Sequence, residues 1–460
     1  MAKRGNLHFE SYREELKKIL FVSGPASAGF LCRRLGISQP SFSRLVGQLS
    51  EEVLRIGKGR SIQYALRRRD AGGAGKIPVF KVSEDGSVSQ AAWLYCLAAK
   101  GYFLESISEI FSSKYFSGLP YFFEDLRPSG FLGRLVPRLY PEEKFPANIQ
   151  NFSDEDCLRY LSAYGEDLVG NYIIGEAAFK KFLGGSLHGP TVVEEDRREE
   201  IYARMADQAM SAGIPGSSAA GEHPKFLATK FSAERRVPVM VKFSPRINDA
   251  LSRRVADLLV CEHVAHEVLR GAGQESAKSS ILEDGERVFL EIERFDRTPQ
   301  GGRRGLVSLR ALDLEFVGAL RSWSDTAEGL SSRRIIMPET LARIRWLENF
   351  GNLIGNTDMH LGNLSFFSDG ERLLGVAPVY DMLPMMYAPQ QNQLVSREFK
   401  PEMPKSAEVV EWTNAWKAAM DFWRRVDEHS LISLDFKEVA RRHAARCGEL
   451  EGIHRILRSD

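Results

Sequence analysis

The sequence predicts an α+β protein of several domains, with a winged helix-turn-helix head in front of a mixed helix-and-strand body. Three observations predict it. At 460 residues the chain exceeds what one ordinary core accommodates. Strand-like and helix-like stretches alternate through the middle. Charge is divided unevenly: residues 1–70 carry fourteen Lys/Arg and six Asp/Glu, although the whole chain is only +1. That leaves a basic head at +8 on an acidic body at −7, the footprint of a nucleic-acid-binding module.

The head is expected over residues 1–68. YREELKKIL (12–20) is helix-like, and Phe30, Leu31 and Leu35 fall at helical spacing. Gly36-Ile37-Ser38 makes a turn. Ser38 can cap a second helix with Pro40 in its first turn, and Phe42, Leu45 and Leu49 form its apolar face. The other face offers Gln39, Ser41, Ser43 and Arg44 to phosphates or base edges, with Ser38 at its start. VLRIGKGRSIQYAL then reads strand, turn, strand, with Lys58 and Arg60 at a basic tip resembling a wing. A three-helix packing domain with a solvated hairpin is the plainer alternative. RRRDAGGAGK contains the expected linker, 69–76.

Five scattered cysteines without a C-x-x-C pair fit a reduced, cytoplasmic compartment. The N-terminus lacks the apolar segment of a secretion signal. No run of about eighteen apolar residues exists, so no membrane span is expected.

From 77 onward the pattern is mixed. IPVFKV reads as a strand, AAWLYCLAAKGYF (91–103) as a helix, DLVGNYIIG as a strand and LPYFFEDLRPSGFLGR as an aromatic loop. GIPGSSAAGEHPK carries Gly213, Gly216 and Gly221, and such loops let backbone N–H groups approach phosphate oxygens. A flexible linker has the same composition. After a strand starting at Lys225, VPVMVKFS places Val237, Val239, Val241 and Phe243 on one face and Lys242 on the other. A lysine buried there calls for an anion. The helix that follows puts Val255, Leu258, Leu259, Ala265 and Leu269 on one stripe, with Glu262 as its charged exception. Glu262 either meets Lys242 or lies at the rim of the face. A strand lysine, a helix glutamate and a preceding glycine loop together form the phosphate-positioning arrangement of protein kinases. Cys261, His263, His266 and Glu267 match no standard zinc spacing.

PETLARIRWLENFGNLI reads as a helix capped by Gly355. It is followed by the polar loop NTDMHLGN, which holds Asn356, Asp358, His360 and Asn363. NLSFF, a Ser368-Asp369-Gly370 turn and RLLGVAPVYD form a hairpin returning the chain to Asp381. Asp358, Asn363 and Asp381 should therefore converge. One aspartate can accept a hydroxyl proton, while the asparagine oxygen and the second aspartate can hold Mg²⁺ against nucleotide phosphates. An ordinary surface turn with an Asx cap is the plain alternative.

With these segments in order, the chain resembles the HipA family of serine/threonine kinases, the toxins of bacterial toxin–antitoxin pairs. The carriers are LPYFFEDLRPSGFLGR, SSAAGEHPK, VMVKF, IERFDR, NTDMHLGNLSF and APVYD, over roughly residues 77–400. The resemblance implies a protein-kinase-like two-lobed HipA fold, with an N-terminal subdomain and small lobe over 77–295 and a mostly helical large lobe over 296–460. It implies ATP and Mg²⁺ as cofactors, Asp358 as catalytic base and Asn363 and Asp381 as metal ligands. Nucleotide contacts would come from Gly216, Ser218, Gly221, Lys225 and Lys242, with Glu262 behind Lys242. Glu293 to Phe295 would line the adenine hinge, and His360 would brace the loop. Ser218 matches the family's autophosphorylated serine, with Ser217 as its neighbour. The implied partners are DNA, a protein substrate for which an aminoacyl-tRNA synthetase is the precedent, and an antitoxin.

Pro224 before Lys225 departs from the family pattern and stiffens the phosphate loop. The fused head departs too, resembling a stand-alone branch. It keeps open a second function, a DNA-binding transcription regulator whose kinase-like domain senses a nucleotide. A metal-dependent nuclease would leave the glycine loop and Lys242 without a purpose.

Overall fold

The computed structural model describes residues 2–57, 59–68, 75–185, 191–211, 223–400 and 408–450. In the head, α1 (Ala2–Ser23), β1 (Ala26–Ser27), α2 (Ala28–Leu35), α3 (Gln39–Gln48), β2 (Val53–Ile56) and β3 (Gln63–Leu66) build three helices and an antiparallel sheet in the order β1-β3-β2. Ser27 and Ser38 cap α2 and α3 by accepting from the N–H groups of Phe30 and Ser41. Gly36, at φ 67°, ends α2 in the left-handed conformation that a side chain resists. Leu16, Leu20, Leu31, Phe42, Leu45 and Leu49 close the core.

A second unit contains β4 (Lys76–Val82), β5 (Val88–Cys96), β6 (Tyr102–Ser106), β7 (Lys114–Phe116), α4 (Gly130–Leu139), α5 (Asp154–Tyr164), β8 (Tyr172–Ile174) and α6 (Glu176–Leu183), with sheet order β7-β6-β5-β4-β8. Two expectations are corrected here. Residues 91–103 are not a helix but the end of β5, a turn and the start of β6. Gly101 makes that turn at φ 85°, where a Cβ would lie 2.3 Å from the Phe116 carbonyl oxygen. The aromatic loop contains a 3₁₀ turn, Tyr121–Leu126, and the first half of α4. Phe122 and Phe123 are buried there because they pack on Tyr172 and on each other.

The head docks on this unit through its wing. Ile56 and Ala65 are buried against Tyr95, Leu97 and Phe103. The Arg68 N–H donates to the Cys96 carbonyl and the Ala98 N–H to that of Leu66, both at 2.8 Å.

The small lobe follows: β9 (Thr191–Glu194), α7 (Arg198–Ser211), β10 (Lys225–Ser232), β11 (Arg235–Phe243), α8 (Ala250–Gly271), β12 (Ser279–Glu283) and β13 (Val288–Glu293), with sheet order β12-β13-β11-β10-β9. Val239, Val241 and Phe243 are fully buried on one face of β11 with Phe226 and Phe289, so Lys242 is directed to the other face.

The large lobe holds β14 (Gly305–Ser308), α9 (Leu309–Leu312), α10 (Trp323–Ser332), α11 (Pro338–Ile354), β15 (Ser365–Asp369), β16 (Arg372–Val376), α12 (Val409–Glu428) and α13 (Leu434–Gly448). Its helices pack around Trp323, Phe350, Trp412, Phe422 and Trp423. Among the described residues no helix is long and apolar enough to cross a membrane.

Candidate active site

The site lies where β11 and α8 of the small lobe meet the loops after α11 and β16. α8 is buried almost all round, which carries Glu262 into the interior at 0 % exposure. The Lys242 ammonium sits 2.7 Å from each Glu262 carboxylate oxygen and also bonds Asp381. Glu262 is therefore not at a rim. Burial pulls Lys242 down, but Asp381 and Glu262 outweigh it and hold the ammonium above its ordinary range. Burial raises Asp381, but Lys242 and then Lys225 hold it well below the usual carboxylate range. Glu262 goes the other way, raised by burial, because its ammonium is shared. Two carboxylates thus face one buried ammonium, and a further cation at Asp381 would be welcome.

α11 ends at Gly355, whose φ of 76° is the expected left-handed cap. Beyond it the loop is tied down at both ends. The Asn356 side-chain oxygen accepts from the Asp358 N–H (3.1 Å), and its amide donates to the Asp381 carbonyl (3.3 Å). Asn363 donates through Nδ2 to the Asp358 carbonyl at 2.8 Å, a bond that does not use Oδ1. Asp381 itself has φ 52°, a conformation few non-glycine residues hold without support from their surroundings. Asp358 and His360 are exposed, and the His360 ring accepts from the Gly362 N–H at 3.1 Å. His360 therefore braces its own loop.

These residues share a cavity of about 750 Å³, lined by Asp358, Asn363, Asp381, Lys242, Lys225 and His360, among others. A more apolar cavity of about 570 Å³ joins it through Lys225, Lys242 and Asp381. Leu227, Met240, Ile292, Glu293, Phe295 and Leu306 lie in its wall. The structure thus brings together Lys225, Lys242, Glu262, Glu293, Phe295, Asp358, His360, Asn363 and Asp381. Gly216, Ser217, Ser218 and Gly221 lie outside the described residues, as does Lys58. In the head, Ser38, Gln39, Ser43 and Arg44 are exposed along one side of α3, with Ser41 half-buried. The backbone of Arg60 lies in a short 3₁₀ turn between the wing strands.

Several wall residues were not anticipated. His223 faces Lys242 and Lys225, and burial followed by those two charges pushes its imidazole down to about 3. Asp125 accepts from the N–H and hydroxyl of Ser308, each at 2.6 Å. Tyr380 donates to the Gly362 carbonyl at 2.8 Å. A polar residue in an aromatic stretch or beside an obvious motif carries little sequence signal of its own.

The donor set fits a hard divalent cation. The Asn363 amide oxygen and the Asp381 carboxylate are oxygen ligands, few enough to leave room for phosphate oxygens and water. Among the described residues no cluster of three or more His, Cys, Asp or Glu could hold a metal.

A five-stranded small lobe whose strand lysine pairs a helix glutamate, set over a helical lobe with an Asp–Asn loop, defines a protein-kinase-like fold. Residues 217–448 match the HipA-like C-terminal domain, and residues 73–183 match the middle domain of YjjJ-like toxins. Toxin YjjJ of Escherichia coli (strain K12) is 34% identical over 439 residues, 94% of this chain and 97% of that protein. The chain belongs to the HipA family. In a complex of HipA with HipB and operator DNA from Shewanella oneidensis MR-1, the matching chain is 17% identical with a TM-score of 0.53. The match covers 83% of this chain and 99% of that one. The kinase CtkA of Helicobacter pylori aligns over 51% of this chain and 94% of its own, at 14% identity and a TM-score of 0.38.

Proposed function

We propose that the chain is an ATP- and Mg²⁺-dependent serine/threonine protein kinase of the HipA toxin type. It would phosphorylate a cellular protein, with an aminoacyl-tRNA synthetase as the family precedent, and its own Ser218. The observation that carries this reading is the meeting of Lys242, Asp381, Asn363 and Asp358 on one cavity. Asp358 stands exposed where a substrate hydroxyl can reach it and accepts that proton. Lys242, fixed by Glu262, holds nucleotide phosphate, and Glu293 to Phe295 bound the adenine. Asn363 and Asp381 would hold Mg²⁺, which supplies charge neutralisation on the transferring phosphoryl group. The head would bind DNA through α3 and its wing, as the +8 charge suggests. An antitoxin partner is proposed by likeness to the HipA complex with HipB.

Labelled ATP and Mg²⁺, followed by phosphoproteomics of cells expressing wild type or Asp358→Asn, test this. The expected result is label on Ser218 and on a cellular protein with wild type only. Equal labelling by Asp358→Asn, or none by wild type, would overturn it. The docked head favours one second reading, a transcription regulator that senses nucleotide. Operator binding that shifts with ATP and persists in Asp358→Asn, without any phosphoryl transfer, would select it.

A further inference from the structure

A separate cavity of about 220 Å³ lies at the seam between the second unit and the large lobe. At roughly 30 Å³ per water it has room for several waters or a small ion. Lys81, Ser83 and Glu84 form one wall, and Gly305, Phe367 and Asp369 another. Three further lining side chains carry buried polar atoms with no hydrogen-bond partner among the described residues: Asn171 Oδ1, Arg303 Nη1 and Ser368 Oγ. Their residues are only 3 %, 5 % and 3 % exposed. Two of these atoms gather over Gly305, where a Cβ would lie 2.9 Å from Asn171 Oδ1 and 3.2 Å from Ser368 Oγ. Each orphaned group costs about 1–3 kcal/mol, so three around one cavity point to something that meets them.

The charge around the cavity narrows what that is. Arg303 belongs to a buried cluster with Arg294, Arg297, Asp167 and Asp296. Arg297 lies 2.7 Å from both carboxylates, and Arg294 lies 3.0 Å from Asp296. Arg303 reaches Asp167 only at 3.7 Å. Burial, and then the charge of Arg297, push Arg303 down to about 9. A guanidinium keeps its proton in proteins, so relief comes from an anion. The cations at the rim are matched already, Lys81 with Asp369 and Arg304 with Glu84. Water would satisfy the hydrogen bonds but leave the three guanidiniums of Arg294, Arg297 and Arg303 sharing two carboxylates. Asn171 Oδ1 accepts, so the ligand must also donate. A tetrahedral oxyanion that keeps a proton near neutral pH does both, whereas sulfate carries none.

We propose that this cavity binds phosphate, as the free ion or as the head of a small phosphomonoester, and so clamps the second unit to the large lobe. Titration calorimetry and thermal unfolding of the full chain with inorganic phosphate, glycerol phosphate and sulfate, at matched ionic strength, test it. Ser368→Ala deletes a hydroxyl without a partner and should fold normally. Lys242→Met, carried together with Glu262→Leu so that no buried glutamate is left unpaired, removes phosphate binding at the nucleotide cavity. The expected result is saturable, stabilising phosphate binding in wild type and in Lys242→Met/Glu262→Leu, weakened about tenfold or more in Ser368→Ala and for sulfate. Tighter binding of glycerol phosphate would assign the ester, and the reverse the free ion. Absence of saturable binding, equal binding of sulfate, or binding lost in Lys242→Met/Glu262→Leu and kept in Ser368→Ala would overturn the proposal.

Discussion

Lys242 and Glu262 form a buried ion pair in which one ammonium lies 2.7 Å from both carboxylate oxygens. Removing one partner of such a pair costs about 3–5 kcal/mol, because the other charge is left buried. Asp381 still holds Lys242, so Glu262→Ala should lie near the lower end, with weakened ATP binding. The double variant Lys242→Met/Glu262→Leu should recover most of the lost stability and none of the ATP binding. Urea unfolding and nucleotide titration of both variants check this. A Glu262→Ala protein as stable as wild type would contradict the pair's burial.

Asn356 joins the loop of Asp358 to the backbone of Asp381 through two hydrogen bonds. Asn356→Ala should lower stability by about 1–3 kcal/mol, since two part-buried backbone groups lose their partner. It should slow phosphoryl transfer roughly 100-fold, with ATP affinity little changed, because misplacing reacting groups by about an ångström has that effect. Asn356→Asp keeps the acceptor and should fall between. The separate kcat and KM values decide whether Asn356 positions the loop. Wild-type kcat in Asn356→Ala would reject that role.

The reach of the sequence differs between these features. Lys242 and Glu262 were legible because each breaks an apolar pattern on its own element, and a buried charge announces its need for a partner. The loop from Asn356 to Asn363 was legible because a left-handed cap and a hairpin bracket it. Residues 91–103 misled. The second half of β5 is buried on both faces, so it shows no period-two alternation, and its Ala and Leu content imitates a helix. The cluster of Arg294, Arg297 and Arg303 was invisible for another reason. Its acids include Asp167, more than a hundred residues away, and such arginines read as a solvated turn until the chain is folded.

Arg44 is exposed on α3, on the side opposite the buried Phe42 and Leu45. If α3 lies in a DNA groove, Arg44→Ala should weaken binding and reduce the slope of log K against log salt by about one, the signature of one lost phosphate contact. Fluorescence anisotropy with duplex DNA over a salt series measures this. An unchanged slope and affinity would remove Arg44 from the interface.

His443 supplies a pH prediction. Its ring is stacked between Phe399 and Trp423, with Nε2 3.0 Å from the Leu353 carbonyl and Nδ1 2.8 Å from the Tyr387 hydroxyl. The neutral ring satisfies both, donating from Nε2 and accepting at Nδ1. Burial pushes its pKa down to about 3, against the opposing bond to Leu353. Unfolded histidine titrates near 6.5. Between those values the unfolded chain takes up a proton that the folded chain refuses. Stability is therefore fully present above about pH 6.5 and falls with acidification, by about 1.4 kcal/mol per pH unit for each such histidine. His266 and His223, also pushed down to about 3 chiefly by burial, add to the same slope. His443→Gln should lower stability at pH 8, where the stacked ring is lost. Between pH 6 and pH 4 its stability should fall less steeply than that of wild type, by about one proton's worth of slope. Denaturant midpoints across that range, converted with a common m-value, give the comparison. Parallel wild-type and variant curves would mean that His443 charges without cost in the folded protein.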